Sequence, residues 1–324
     1  MRWIYLAVIL ILVLEPTWAQ PPADVVKSHP EPGEGIWSFL RRHHLSPAEY
    51  FDEFLQLNEG KFTDEGGLLA HHAYYVPTKT TNWVEPLFGE SHQNLTLIDE
   101  TLKGAVFYLV SGHGGPDPGA IGRYGEHLLY EDEYAYDITL RLAKNLMQSG
   151  AKVHVIVQDP YNGIRNEAIL KPDQNETVMG KPIPLDQIER LKQRATAINQ
   201  LWEKETASYQ RMIEIHLDSR GNNQQLDVFF YHHPHSKTGK EMAETLRRTF
   251  ESNYRRHQPN RGFSGTVSPR NLYMLRYTQP VAVFVELGNI RNFRDQQRFI
   301  LESNRQALAN WLTAGIIEDF QNSK

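Results

Sequence analysis

Apolar residues along this chain fall into short unbroken runs, separated by longer stretches in which they recur every three or four positions. That alternation predicts strands and helices in turn. Ala105 to Val110, Lys152 to Val157, Met212 to His216, Leu226 to Tyr231, Leu272 to Tyr277 and Val281 to Glu286 read as strands. Ala135 to Gln148, stopped by Gly150, reads as a helix, as do Leu185 to Glu205, Lys237 to Tyr254 and Arg294 to Phe320. The pattern predicts an α/β domain over 104–320, with a three-layer build: a twisted, mostly parallel or mixed sheet flanked by helices. Residues 159–184 carry no regular pattern and read as an insertion.

The first hundred residues are organised differently. Met1-Arg2 followed by a nearly all-apolar run from Ile4 to Leu14, ending in Thr17-Trp18-Ala19, is a signal-peptide pattern over 1–19. The competing reading is a buried helix or a membrane anchor. The run is shorter than the ~20 residues a bilayer span needs, and Pro16 breaks a helix. Residues 20–31 are rich in proline and polar side chains and read as a linker. In 32–77, Ile36, Trp37, Phe39 and Leu40 predict one helix. Ser46-Pro47 predicts the start of a second, carrying Tyr50, Phe51, Phe54, Leu55 and Leu57 at helical spacing, and Ala73 to Val76 a short strand. Residues 78–103 read as a connector.

Composition narrows the function. With 324 residues, 23% charged and 40% hydrophobic, and a formal net charge of -5, the chain is globular and lacks the basic field on which nucleic-acid binding rests. It contains no cysteine. Disulfides, thiol catalysis and zinc-thiolate sites are therefore excluded, and any metal must be held by His, Asp or Glu. Two sequons, Asn94-Leu95-Thr96 and Asn175-Glu176-Thr177, match a pattern that also arises by chance.

The chemistry gathers at strand ends. Ala105 to Val110 delivers His113 onto a glycine-rich loop, where open α/β sheets bind ligands. Gly112-His113-Gly114-Gly115 lacks the Gly-Lys-Ser/Thr ending of a phosphate loop and the spacing of a dinucleotide fingerprint. Glu131 begins the helix containing Ala135 to Gln148, His216 ends one strand and Glu286 another. Taken singly, each has a structural reading, as a dipole complement or a core residue. Together they match a catalytic metal set of two histidines and a carboxylate, with a further carboxylate as general base. The "YHHPH" stretch at 231–235 is a second histidine cluster, at a strand end before a proline turn, where adventitious metal binding is as good a reading as function.

Two segments, "GHGGPDPGAIG" and "VFVELGNIRN", together with Glu131 and His216, resemble the zinc-dependent N-acetylmuramoyl-L-alanine amidases of type 3. The resemblance runs from about Gly104 to Phe320. It implies Zn2+ bound by His113, Glu131 and His216, with Glu286 as the catalytic carboxylate. It also implies cleavage of the bond between N-acetylmuramic acid and L-alanine in peptidoglycan by zinc-activated water. Arg194 and Asn199 match the arginine and asparagine on the preceding helix, in structural or outer roles, and Asp117 and Arg276 fall in matching segments bordering the cleft. Where the family carries Ser-Ile-His-Ala-Asn, this chain has Glu214-Ile215-His216-Leu217-Asp218, so Glu214 or Asp218 is placed to raise the basicity of the ligand histidine. The family also carries Asp-Pro where Val110-Ser111 stand. The 32–77 segment resembles a divergent LysM module, a βααβ unit that binds glycan, through Gly33-Glu34-Gly35-Ile36-Trp37, Leu57-Asn58 and Tyr75-Val76-Pro77. Together these imply an exported protein, periplasmic or secreted, with peptidoglycan as partner and room for a protein activator. A zinc peptidase acting on stem peptides, or a non-catalytic wall-binding regulator, are the alternatives.

Overall fold

The computed structural model describes residues 25–43, 45–77, 82–218 and 225–324. The signal-peptide reading of 1–19 lies outside them. The chain divides into two compact units, 1–80 and 81–324.

In the first unit, β1 (Val25–Ser28) pairs antiparallel with β2 (Tyr74–Pro77), and α1 (Ile36–Arg42) and α2 (Pro47–Leu57) lie between them in sequence. The 20–31 segment, read as a linker, thus contributes a strand, which its proline-rich surroundings concealed. Phe39, Leu40, Phe54, Tyr74 and Val76 form the core. Asn58 ends α2 and clasps the second strand: its Nδ2 donates to the carbonyls of Phe54 (2.9 Å) and Tyr75 (2.6 Å), while its Oδ1 accepts from the Tyr75 amide (2.7 Å). Ser46 does occupy the position before α2, but its hydroxyl makes no capping bond.

The second unit is a mixed six-stranded sheet. In chain order its strands are β3 (Ala105–Ser111), β4 (Lys152–Val155), β5 (Tyr209–Asp218), β6 (Phe229–His232), β7 (Thr266–Pro269) and β8 (Val281–Asn289), and across the sheet they run β7-β6-β8-β5-β3-β4. β8, β5, β3 and β4 are mutually parallel, while β6 runs antiparallel to β8 and parallel to β7. Strand parity sorts the side chains. Phe107, Leu109, Ile213, Ile215, Val283 and Val285 face a core built with α3 (Glu131–Gln148), α5 (Lys237–His257) and, after a short α7 (Phe293–Ile300), α8 (Glu302–Asn322). Val106, Tyr108, Val110, Met212 and Ala282 face the other layer, which holds α4 (Gln187–Trp202) and α6 (Tyr273–Tyr277). Because both faces are covered, these strands carry the unbroken apolar runs seen in the sequence.

Several expectations need correction. Leu272 to Tyr277 is not a strand: Tyr273–Tyr277 is a five-residue helix that buries Met274 and Leu275, and short apolar runs do not distinguish the two by pattern alone. The strand in that region is Thr266–Pro269, two of whose four residues are exposed and which carries no apolar run. Arg294 to Phe320 is two helices, broken at Leu301, whose backbone is extended without any proline or glycine to announce it. Residues 82–103 are more than a connector, because Phe88, Leu95 and Leu102 join the main core. The 159–184 insertion holds two short strands, Thr177–Val178 and Lys181–Pro182, that extend a small sheet from Val157–Gln158.

Buried charge anchors that insertion. Asp137 Oδ2 accepts from Arg141 Nε (2.8 Å) and Arg305 Nε (2.6 Å), while its Oδ1 accepts from the Arg165 amide (2.7 Å). Both guanidinium groups also donate to the Arg165 carbonyl, at 2.7 and 2.8 Å. One carboxylate therefore links α3, α8 and the insertion. Replacing Asp137 with Ala leaves buried Arg305 without its carboxylate and Arg141 with Glu302 alone, at 2.8 Å, and we expect a loss of about 3–5 kcal/mol in urea unfolding.

Candidate metal centre

The site sits at the C-terminal edge of the parallel strands. β3 ends at Ser111 and the chain turns immediately into the glycine loop. His113 itself adopts a left-handed backbone (φ 62°), a conformation costing on the order of 1 kcal/mol for a residue with a Cβ. Gly112 is required by contact, because a Cβ there would lie within 2.6 Å of three atoms of the His216 imidazole. At Gly119 a Cβ would lie 2.6 Å from His113 Cδ2 and 2.7 Å from Glu131 Oε2. The glycines therefore let two histidines and a glutamate from three elements close on one another.

Glu131, the first residue of α3, is buried between the histidines. Its Oε2 lies 3.3 Å from His113 Nε2 and its Oε1 lies 3.0 Å from His216 Nδ1. The same oxygens accept from the amides of Ala120 (2.8 Å) and Leu217 (3.0 Å). One donor atom from each of the three residues lies within 4.8 Å of the other two. Donors about 2.0–2.2 Å from a tetrahedral ion stand roughly 3.4 Å apart, and each histidine lies near that separation from Glu131, through a different carboxylate oxygen. Two imidazole nitrogens and a carboxylate, without thiolate, are a donor set that suits a divalent transition metal.

Outer carboxylates meet both rings. Asp117 Oδ2 lies 2.9 Å from His113 Nδ1 and 2.8 Å from Arg190 NH2, and Glu214 Oε1 lies 3.4 Å from His216 Nε2. Arg194, buried four positions beyond Arg190 on α4, donates to the His113 carbonyl. Phe284 stacks on His216 with centroids 4.3 Å apart and planes 17° apart. Glu286 stands directly across from His216 in the β5–β8 register, so their side chains leave the sheet on the same face.

The other candidates lie further out. Asn199 bonds the Tyr277 carbonyl and the Gln279 amide, at 2.8 and 2.9 Å, tying α4 to the approach to β8. Asp218 ends β5, where its carbonyl accepts from the Ile290 amide (2.9 Å) beyond a register shift. Arg276 is exposed, with its guanidinium over the Tyr277 ring at 5.1 Å. Sequence reading missed Arg190. Its i,i+4 spacing from Arg194 is the signal that would have placed both on one helix face.

Burial alone would disfavour charge on either ring. For His113 the hydrogen bonds to Asp117 and Glu131 outweigh it and push the pKa up to about 8. For His216, buried more deeply, Glu131 and Glu214 push it up to about 10. Burial acts against the Glu131 carboxylate too, but the two histidines hold it well below the usual range. Asp117 is held down to about 2, first by its bond to His113.

The fold and the cluster define an α/β protein with a candidate metal centre at the sheet edge. The family model described as N-acetylmuramoyl-L-alanine amidase matches residues 108–318, and the chain belongs to that family. Among solved structures, it is similar to N-acetylmuramoyl-L-alanine amidase AmiC2 of Nostoc punctiforme at 20% identity, with 67% of this chain and 98% of that chain covered and a TM-score of 0.48. The catalytic domain of CwlV from Bacillus (Paenibacillus) polymyxa var. colistinus gives 19% identity, coverage of 68% and 99%, and a TM-score of 0.49. An N-acetylmuramoyl-L-alanine amidase from Clostridium difficile 630 gives 22% identity, coverage of 68% and 100%, and a TM-score of 0.48. No curated protein matches the chain.

Two outcomes follow from the geometry. Both histidine pKa values are raised above the ~6.5 of an unfolded chain. In the metal-free protein their stabilising contribution is therefore complete below that value and lost as pH rises through about 8 and then about 10. Metal needs the neutral rings, so its apparent affinity should rise over the same interval. Thermal melts from pH 6 to 10, with and without Zn2+, should diverge as pH rises. Separately, Gly112→Ala should displace His216 and abolish tight metal binding, measured by chelator competition.

Proposed function

We propose that this protein is an exported, zinc-dependent hydrolase of the amide bond joining N-acetylmuramic acid to the L-alanine of the stem peptide in peptidoglycan. The observation that carries the reading is the convergence of His113, Glu131 and His216 on one point, in a chain matched by the amidase family over 108–318. Those three residues would hold zinc, which when bound supplies a Lewis acid and an activated water. Glu286, on the same sheet face as His216, accepts the proton from the attacking water and returns it to the leaving amine. Asp117, itself held by Arg190, orients His113.

The N-terminal unit supports a glycan-binding role through its β-α-α-β order and its antiparallel strand pair. Tethering to glycan would raise the local concentration of scissile bonds. Export rests on the apolar N-terminal pattern and on where peptidoglycan lies. No helix among the described residues is long and apolar enough to cross a membrane.

The test is mass spectrometry of muropeptides digested by the zinc-loaded chain beside its Glu286→Gln variant. Stem peptides beginning at L-alanine should appear with the unaltered chain. In the variant they should form on the order of 10²–10⁴-fold more slowly, with zinc retained. Cleavage within the stem peptide would replace the reading with a peptidase, and an equally active Glu286→Gln variant would remove Glu286 from this role.

A further inference from the structure

His216 presents a choice that the three-residue cluster does not resolve. Its ring lies between Phe284, stacked at 4.3 Å, and Gly112, where even a Cβ would collide with it. Rotation out of the plane is blocked, and only a half-turn flip or a change of tautomer can decide which nitrogen offers its lone pair. Each ring edge faces a carboxylate: Glu131 at Nδ1 (3.0 Å) and Glu214 at Nε2 (3.4 Å). A metal held by Glu131 and His113 Nε2 requires the lone pair at Nδ1, which places the proton on Nε2.

We propose that Glu214, backed by the Arg194 charge, is a positioning residue that accepts the Nε2–H of His216 and so fixes the tautomer presenting Nδ1 to the metal. The inference rests on the metal-centre reading above. Glu214 is 1% exposed, in the interior of β5, a costly place for a carboxylate unless its charge has a use. Arg194, 3% exposed on the helix covering that face, supplies the nearby positive charge, and its own guanidinium is tied to the His113 carbonyl. The carboxylate–imidazole contact parallels Asp117–His113, although Arg190 pairs directly with Asp117 whereas Arg194 acts on Glu214 through its charge alone. At His113 the carboxylate meets Nδ1 and leaves Nε2 to the cluster, so the two histidines would offer opposite nitrogens. A carboxylate behind a ligand imidazole fixes its orientation and raises its basicity, and losing one weakens metal affinity about 10–100-fold.

The experiment uses the full chain loaded with Zn2+ and labelled with ¹⁵N-histidine. Long-range ¹H–¹⁵N correlation spectra should show His216 protonated at Nε2 and metal-bound at Nδ1. Glu214→Ala should weaken zinc binding about 10–100-fold in chelator competition and lose the protected Nε2 proton. Glu214→Gln, whose side-chain carbonyl can still accept, should retain the nitrogen pattern and most of the affinity. Unchanged affinity and spectra in Glu214→Ala would overturn the proposal. So would equal losses in both variants with the His216 nitrogen pattern intact, since that result marks a packing role. These readouts need no substrate: a chain that shows the predicted pattern but leaves muropeptides uncut sinks the amidase reading and not this one. Failure of the unaltered chain to bind zinc sinks both.

Discussion

The organisation of the second unit turns on a buried carboxylate, that of Glu131. It opens an eighteen-residue helix, where the free amides of the first turn favour a negative charge. It is hydrogen-bonded to backbone on two sides, from Ala120 in the loop after β3 and from Leu217 in β5. It also faces both histidines. The loop just before the helix and a strand far along the chain therefore meet on its two oxygen atoms. The loop glycines, the left-handed backbone at His113 and the absence of a Cβ at residue 112 are the steric conditions for that meeting.

The sheet supplies the rest by parity. Alternate residues of β5 enter opposite layers, so Met212, Glu214 and His216 share one face while Ile213 and Ile215 fill the helix-covered core behind them. A one-residue slip of β5 would send the histidine into that core and an isoleucine into the site. Pairing on both sides, with β3 and with β8, fixes the register in which His216 stands across from Glu286. Packing and chemistry are thus set by the same alternation.

What was legible follows from this. Strands buried on both faces wrote themselves as apolar runs, and the residues projecting from their ends stood out against those runs: His113, His216 and Glu286. Amphipathic helices were legible for the same reason. Elements whose identity depends on distant partners were not. Val25–Ser28 is a strand because Tyr74–Pro77 lies beside it, and Thr266–Pro269 because Phe229–His232 does. Tyr273–Tyr277 is helical because Met274 and Leu275 pack under α4. Arg190 went unnoticed because an exposed-looking arginine on a polar helix face carries no signal until Asp117 is found opposite it.

Charge explains why the centre is built as it is. Asp117 and Glu131 are the carboxylates at the His113 ring, and Glu131 and Glu214 those at the His216 ring. These contacts outweigh burial and push the two histidines up to about 8 and about 10, so in the absence of a metal the imidazolium form is favoured in a place that would otherwise disfavour it. A divalent cation would require the same rings neutral and would bring its own positive charge to the same carboxylates. Protons and metal therefore compete for one set of side chains, because the groups that hold the protons are the ones that would hold or orient the metal's ligands.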